Sequence, residues 1–290
     1  MKIGVSSYSY SRYVGSGKMK QIEVIEAAKK AGFDVIEFST IAVPEGKTLK
    51  EFAKELRAEA ERVGIEIANY TIGADFIGGS GGDLDAEIER LKGEVDVAEI
   101  LGAPGMRHDI TYSLSNADAS LRTFEAALPR LAKGCRAVTE YAASKGIRTM
   151  TENHGFISQD SLRVEKLVTA VNNVNFGVLI DFGNFCCADE DSALAVSRLA
   201  PFAFHAHAKD FHIKSGNGFA PGEGWFMSRG GNYLRGAIIG HGNVPLLQSL
   251  RALKRTGYDG VLSVEFEGIE DPEQGIRIGQ ANLRRLVELA

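Results

Sequence analysis

The sequence is poor in cysteine, has a single tryptophan and contains no long uninterrupted apolar run. Each scarcity removes a class of molecule. The three cysteines, Cys135, Cys186 and Cys187, match no zinc-ligand or disulfide spacing, and chain neighbours such as Cys186 and Cys187 seldom bridge each other. A stapled fold is therefore excluded, and a reducing cytoplasm is the expected compartment. Charged residues interrupt the apolar segments every few positions, so no transmembrane helix and no membrane partner are expected. The opening MKIGVSSYSYSRY reads as a strand and a polar loop rather than a signal peptide. No glycine-rich dinucleotide fingerprint follows that strand, and no compact glycine-rich anion cradle, linker, low-complexity tract or convincing repeat is evident. Positive charge is in the minority, with a formal net charge of -5, which argues against a nucleic-acid partner.

What the chain does contain is a regular alternation. Its 290 residues are 44% hydrophobic and 24% charged, the balance of an ordinary globular protein. Short apolar runs at 3–8, 34–38, 65–71, 104–110, 147–153, 176–182, 202–209 and 260–267 read as eight strands. Amphipathic helices are expected between them at 19–31, 48–63, 83–101, 116–145 (broken near Pro129), 158–172, 189–199, 243–256 and 271–289. Thr48 and Glu51 have capping-box spacing, and Gly32, Gly64 and Gly146 stand where helices need a left-handed closing residue. Eight strand–helix units in this length predict an α/β fold: a single-domain (β/α)8, or TIM, barrel spanning residues 1–290. An open doubly wound sheet is the competitor. The barrel is favoured because polar residues recur at the C-terminal ends of many strands, where closure brings them over one mouth.

Two connections are longer than the rest. Residues 72–84 are glycine-rich, and residues 210–242 contain Trp225. The second is expected to act as a lid or wall at the mouth, whereas for the first surface elaboration or an oligomer contact is the favoured reading, with a lid as the alternative.

The chemistry is expected at four residues that end the later strands: Glu152 in TMTENHG, Asp181 in LIDFGNF, His207 in FHAHAKDFH and Glu265 in LSVEFEG. Each lies in or just after a strongly apolar run, where an unpaired carboxylate is costly. Three carboxylates and an imidazole suit one divalent cation, with Mn2+ expected and Mg2+ or Co2+ as alternatives. The competing reading is a network with arginine and lysine. His205 and His207 are two apart and share a strand face. His207 is nearer the mouth, and His205 orients a ligand or is a satisfied core residue. Asp210 or a carbonyl is expected to hold the remaining imidazole nitrogen. Lys209 shares His207's face. Glu37, His154, Asn184, Lys209, Trp225 and Glu267 are the expected substrate contacts. Arg107, His108 and Asp109 alternate in direction and so cannot all face inward, and His241 reads as a turn residue.

The ordered set VIEF, TENHG, GVLIDFGNF, HAHAKD and GYDGVLSVEFEG resembles the xylose-isomerase-like barrel superfamily, in its sugar isomerase and epimerase branch, over essentially the whole chain. The resemblance implies that Glu152, Asp181, His207 and Glu265 bind one metal. It also implies that Glu152 and Glu265 are catalytic, exchanging the proton beside a ketose carbonyl through a cis-enediolate. A small carbohydrate substrate and a homo-oligomer are further expectations. Two departures bear on the substrate: Asn184 stands where these epimerases commonly have a histidine, and Ile213 where they have an arginine. The HAHAKD segment also resembles inosose dehydratases, in which the same proton abstraction ends in β-elimination. A dehydratase or lyase is therefore the alternative. A trinuclear zinc endonuclease of related fold is disfavoured by Asn184 and the acidic charge, and a sugar-binding module without turnover by the presence of both glutamates.

Overall fold

The eight apolar segments become eight parallel strands that close on themselves: β1 (Lys2–Ser6), β2 (Val35–Ser39), β3 (Glu66–Ile72), β4 (Gly105–His108), β5 (Arg148–Glu152), β6 (Phe176–Asp181), β7 (Ala203–Ala208) and, after a short side excursion, β11 (Val261–Val264). The computed structural model describes residues 1–115 and 117–290. Each barrel strand pairs with its predecessor, and β11 pairs with both β7 and β1 to seal the ring. The strand β6 is buried along its full length, because helices cover its outer face and the barrel core its inner face.

The helices form the outer ring: α1 (Ser11–Gly15), α2 (Glu23–Lys30), α3 (Leu49–Val63), α4 (Leu84–Leu101), α5 (Phe124–Ala143), α6 (Ser161–Val171), α7 (Ser192–Leu199), α8 (Leu246–Lys254) and α9 (Pro272–Leu289). In α3 the capping box forms, with Thr48 accepting from the Glu51 N–H and Glu51 accepting from the Thr48 N–H; such a cap contributes about 1 kcal/mol. Gly64 then closes the helix at φ 73°, a conformation that penalises any side chain with a Cβ. Phe52, Ala53, Leu56 and Ala60 form its buried stripe.

Several helix starts fall where an acidic or hydroxyl side chain caps the first turn. Asp160 accepts from Arg163 N–H at 3.1 Å, Asp191 from Leu194 N–H at 2.8 Å and Thr123 from Ala126 N–H at 3.2 Å. The last of these corrects two expectations. The helix anticipated from 116 begins at Phe124, and it runs through Pro129 without a break. Position 116 itself lies outside the described residues. The carbonyl that proline leaves unpaired, that of Glu125, is in the first turn of the helix and on an exposed residue, where a lost intrahelical bond costs least.

The excursion between β7 and β11 is a three-stranded antiparallel sheet that the sequence pattern did not announce. It consists of β8 (Asp210–Lys214), β9 (Phe226–Met227) and β10 (Tyr233–Ala237), in the order β8-β10-β9. Its base is fixed by Asp210. That buried carboxylate accepts backbone N–H bonds from Phe211, Gly240, Gly242 and Val244 at 2.8–3.1 Å. Gly242 has to be glycine, since a Cβ there would stand 2.2 Å from Asp210 Oδ1. Asp210 is therefore spent on the loop and does not reach a histidine. His241 is an exposed turn residue within the same loop.

Candidate active site

At the C-terminal mouth of the barrel lies a cavity of 280 Å3. Glu152, at the end of β5, and Glu265, one position past β11, line its floor, and Asp181 and His207, at the ends of β6 and β7, are buried beside them. Glu152, Asp181, His207 and Glu265 each offer one ligand atom, and these atoms lie within 4.8 Å of one another. His207 Nδ1 stands 3.8 Å from Glu152 Oε1, 3.8 Å from Asp181 Oδ2 and 3.6 Å from Glu265 Oε1. The register explains part of this convergence: Asp181 is directly opposite His207, and His207 opposite Ser263, two residues before Glu265 on the same strand path.

Every atom of this cluster that does not face its centre has a partner. Glu152 is paired through Oε2 with Arg107 Nε at 2.8 Å, and its Oε1 accepts from Asn184 Nδ2 at 3.0 Å. Asp181 Oδ1 accepts from the N–H groups of Gly183 and Asn184 at 2.8 and 2.7 Å. Glu265 Oε2 meets Lys209 Nζ at 2.8 Å. By contrast, Asp181 Oδ2 and His207 Nδ1 are buried without a hydrogen bond, Asp181 Oδ2 having only the Lys209 ammonium at 3.4 Å beside it. Orphaned atoms of this kind are rare in native interiors and call for an explanation. Both point toward the shared centre, and the O3N donor set around it fits one divalent cation.

Charge arithmetic agrees. Buried Glu37, Asp109, Glu152, Asp181 and Glu265 outnumber the buried cations Arg107 and Lys209, and with no ion bound a protonated His207 offsets only part of the difference. The strain is visible in the ionisation of the cluster. Burial, with Glu152 and Glu265 alongside, pushes the Asp181 carboxyl up to about 6 against the pull of Lys209 and His207. Burial opposes charge on His207 too, but Glu37 and Glu265 hold the imidazole well above its ordinary value. Burial likewise opposes the Lys209 ammonium, and Asp181, Glu265 and Glu267 more than offset it. Glu265 is held well below the usual carboxylate range: burial works against this, and Lys209 and His207 prevail.

Above the floor, the cavity wall carries Lys209, Glu267, His154, Asp109, Tyr8 and Tyr112, with Ser39, Thr40 and Thr71 on the far side. His154 Nδ1 bonds Asp109 Oδ1 at 2.9 Å, and Asp109 in turn meets Arg107 Nη2 at 2.8 Å. A chain of contacts thus runs from His154 at the rim to Glu152 on the floor. His108 faces the other way, buried edge-on to Phe76, and burial lowers its pKa to about 4. Lys209 also donates to Asn184 Oδ1 at 3.0 Å, so Asn184 bridges lysine and glutamate.

Several expected contacts lie elsewhere. Glu37 is fully buried beneath the cluster instead of lining the cavity. Its Oε2 is 2.6 Å from His205 Nε2 and its Oε1 accepts from His207 Nε2, the position anticipated for Asp210. Trp225 is outside the cavity: it sits on the added sheet between Lys214 and Arg235, whose cationic groups lie 5.4 and 5.6 Å from its ring.

Neither long connection covers the mouth. In the first, Phe76 and Ile77 are buried, and Glu87 ties the loop by accepting from Asp75 N–H at 3.1 Å and Ser80 Oγ at 2.8 Å. Only Ile72 and Gly73, at its start, reach the cavity. In the second, Asp189 accepts from Ser228 Oγ at 2.6 Å and Asn232 Nδ2 at 2.8 Å, fastening the sheet to the loop after β6. Conversely, the cavity includes Tyr8 and Tyr112, which motif reading did not single out. Tyr8 lies two positions past the end of β1, and its place at a strand end was the available signal. Tyr112 lies in an irregular loop after β4 and carried none.

Comparison with known proteins agrees with this architecture. Among curated proteins, an uncharacterised protein of Methanocaldococcus jannaschii is 25% identical over 134 residues, which are 46% of this chain and 40% of that protein. A xylose isomerase-like TIM barrel/4-hydroxyphenylpyruvate dioxygenase fusion protein superposes with a TM-score of 0.74 at 19% identity, over 99% of this chain and 42% of its own. The chain therefore spans less than half the length of either. An L-ribulose 3-epimerase gives 0.73 at 17% identity, covering 99% of this chain and 94% of the epimerase. The IOLI protein, with a bound zinc atom, gives 0.73 at 18% identity, covering 99% and 98%. At such identities these structures speak for the fold. The sequence match is independent of them, running from residue 25 to residue 286. On that span, the chain belongs to the xylose isomerase-like TIM barrel family.

Proposed function

We propose that this chain is a divalent-metal-dependent carbohydrate isomerase or epimerase, with Glu152, Asp181, His207 and Glu265 as the metal ligands. The observation that carries the reading is the pair of orphaned buried atoms, Asp181 Oδ2 and His207 Nδ1, facing two glutamates across a common centre. When bound, the ion supplies positive charge beside the substrate oxygen that becomes more negative as the neighbouring C–H proton leaves.

The remaining chemistry falls to the chain's own residues. Glu152 and Glu265 are the catalytic pair. One removes the proton from the carbon next to a ketose carbonyl, giving a cis-enediolate, and the other returns it from the opposite face. Arg107 and Asn184 orient Glu152, and Lys209 orients Glu265. Lys209, His154 and Glu267 contact the substrate hydroxyls. A volume of 280 Å3 lies at the low end for a small-molecule site, which suits a single sugar unit.

Mn2+ is the ion we assign, with Mg2+ or Co2+ as substitutes, since oxygen donors predominate. We also read residues 1–290 as one domain, able to form a homo-oligomer. Among the described residues no helix is long and apolar enough to cross a membrane. The three cysteines are buried and unpaired, which suits the cytoplasm as the compartment.

A second reading, elimination, is favoured by one feature. The Asp109–His154 pair places a proton-carrying group at the rim, separate from both glutamates, and departure of a β-hydroxyl needs such a donor. One experiment separates the two: incubate ketoses, keto-inositols and 3-ketosugars in D2O with metal-free and Mn2+-loaded protein, and follow them by mass spectrometry and NMR. Metal-dependent label beside the carbonyl in an intact sugar of changed configuration is the expected result. Loss of water would move the assignment to a lyase, and tight sugar binding without exchange would overturn both enzymatic readings.

A further inference from the structure

We propose that Glu37 is a positioning residue for the metal site: a single buried carboxylate, clamped between His205 and His207, dictates which nitrogen of His207 faces the ion. The inference rests on the metal site proposed above and concerns a residue outside its ligand set. Glu37 is in β2, across the barrel from β7, and has no exposed surface. Its two oxygens divide between two imidazoles. Oε1 accepts from His207 Nε2, and Oε2 lies 2.6 Å from His205 Nε2. The two rings stand edge to face, with centroids 5.6 Å apart and planes at 84°, so both Nε2 edges converge on one carboxylate.

An ionised carboxylate only accepts hydrogen bonds, and a neutral imidazole carries one N–H. When an ion displaces the second proton of the imidazole, bonding to Glu37 keeps the remaining His207 proton on Nε2 and leaves the Nδ1 lone pair for the ion. Nδ1 is the orphaned atom that faces Glu152, Asp181 and Glu265 at 3.6–3.8 Å. The proton and the lone pair thus lie on opposite edges of one ring, and the choice between them is made beneath the site. His205 has the supporting part. It stands beside the second oxygen of Glu37 at ion-pair distance, without hydrogen-bond geometry, while its Nε2 lies 3.2 Å from Ser263 Oγ.

Glu37, His205 and His207 are also close enough together to be considered as ligands of a second ion. The separation argues otherwise. Two ligands bound to one ion at about 2.0–2.1 Å each stand about 3 Å apart, whereas His205 Nε2 and Glu37 Oε2 stand only 2.6 Å apart.

The test uses the full-length protein in two measurements. First, wild-type protein with 15N-labelled histidine is loaded with diamagnetic Zn2+, and the protonated nitrogen of His207 is read by long-range 1H–15N correlation. A proton on Nε2 with the metal-induced shift on Nδ1 is expected; a proton on Nδ1 overturns the inference. This measurement needs no variant and stands even if substitution at residue 37 prevents folding. Second, free Mn2+ is titrated by electron paramagnetic resonance against wild type and Glu37→Gln. The amide presents one acceptor and one donor edge, so it cannot accept from both histidines. Mn2+ affinity is expected to fall about 10–100-fold, while the circular dichroism of the metal-free chain is unchanged. Equal affinity in the two proteins would overturn the role of Glu37 while leaving the metal site standing. Two ions per wild-type chain, one of them lost on substitution, would make Glu37 a ligand and also overturn it. Wild type that binds no divalent ion at all would remove the metal site, and the positioning role with it.

Discussion

The two ends of the barrel carry similar kinds of residue and put them to opposite uses. At the N-terminal end, a depression of 840 Å3, three times the volume at the mouth, is bordered by Lys2, Arg57, Glu61, Glu66 and Asp259. Its charges are neighbours that satisfy one another in water. Lys2 pairs with Glu66, Arg57 with Glu61 at 3.0 Å, and the terminal ammonium with Asp259; the side chains of the first two pairs are at least half exposed. At the C-terminal end the carboxylates are buried, and partners are supplied from all sides except one. Volume alone would select the wrong end. A solvated carboxylate costs almost nothing and its ion pair contributes about as little, whereas a desolvated one needs a reason to be there. The discriminating feature is the direction in which unpaired buried atoms point.

The largest expected effect tests that distinction at the mouth. Replacing Glu265 by Gln retains shape and the hydrogen bond to Lys209 but removes a proton-exchange group and a ligand charge. Metal-dependent deuterium exchange should fall by about 10²–10⁴-fold, the usual contribution of a positioned acid or base. Mn2+ at 100 times its dissociation constant should stabilise the wild type by about 2.7 kcal/mol, and the variant clearly less at the same concentration, as read from melting temperatures. Undiminished exchange in Glu265→Gln would remove it from the catalytic pair, and unchanged stabilisation would remove it from the ligand set.

The next effect concerns the metal-free protein and has a definite sign. The Asp181 carboxyl is raised from its ordinary value of 3.8 to about 6, chiefly by burial, so between these values the folded chain holds a proton that the unfolded chain has released. The unfolded state then binds fewer protons, and stability falls as pH rises through this window, by up to about 1.4 kcal/mol per pH unit. Above pH about 6 the dependence levels off. Asp181→Asn lacks the group, so urea unfolding of metal-free wild type and variant should diverge from pH 4 to 6, with the variant the more stable at neutral pH. Curves that stay parallel would mean that the buried carboxylates do not strain one another, and the contrast between the two ends would lose its electrostatic basis.

How much of this was legible in the residues follows from the range over which each feature is determined. The eight strands and the closed barrel rest on local apolar runs, and those are intact in sequence. Glu152, Asp181, His207 and Glu265 were visible as a group because each is a charged or titratable residue embedded in such a run, and strand closure brings successive strand ends together whatever the intervening loops do. The roles of Glu37, Asp210 and Trp225 were not legible, because they depend on distant partners. Glu37 reaches its histidines across 168 and 170 positions of sequence. Asp210 turned to a loop thirty residues downstream, and nothing local to Asp210 distinguishes that from holding an imidazole nitrogen. Trp225 follows the small sheet, whose strands are short and whose pairing is nonlocal. Pro129 failed as a break signal for a different reason: the cost of proline depends on whether the orphaned carbonyl is wet, which composition does not reveal.

The smallest expected effect lies at the other end of the barrel, and its smallness is the point. Arg57→Ala removes a helix-surface cation paired with Glu61 four residues along α3, with both side chains at least half exposed. Pairs of this geometry contribute about 0.3–0.5 kcal/mol, and the substitution improves intrinsic helix propensity slightly, which offsets part of the loss. Stability should change by no more than about 0.5 kcal/mol, and Mn2+ affinity and deuterium exchange should match the wild type. The depression is the larger of the two cavities, so a function located there would have to appear in this variant or in Lys2→Ala. If either substitution lowered exchange tenfold, the two ends would be coupled through the barrel core, because no residue bordering the N-terminal depression also lines the mouth.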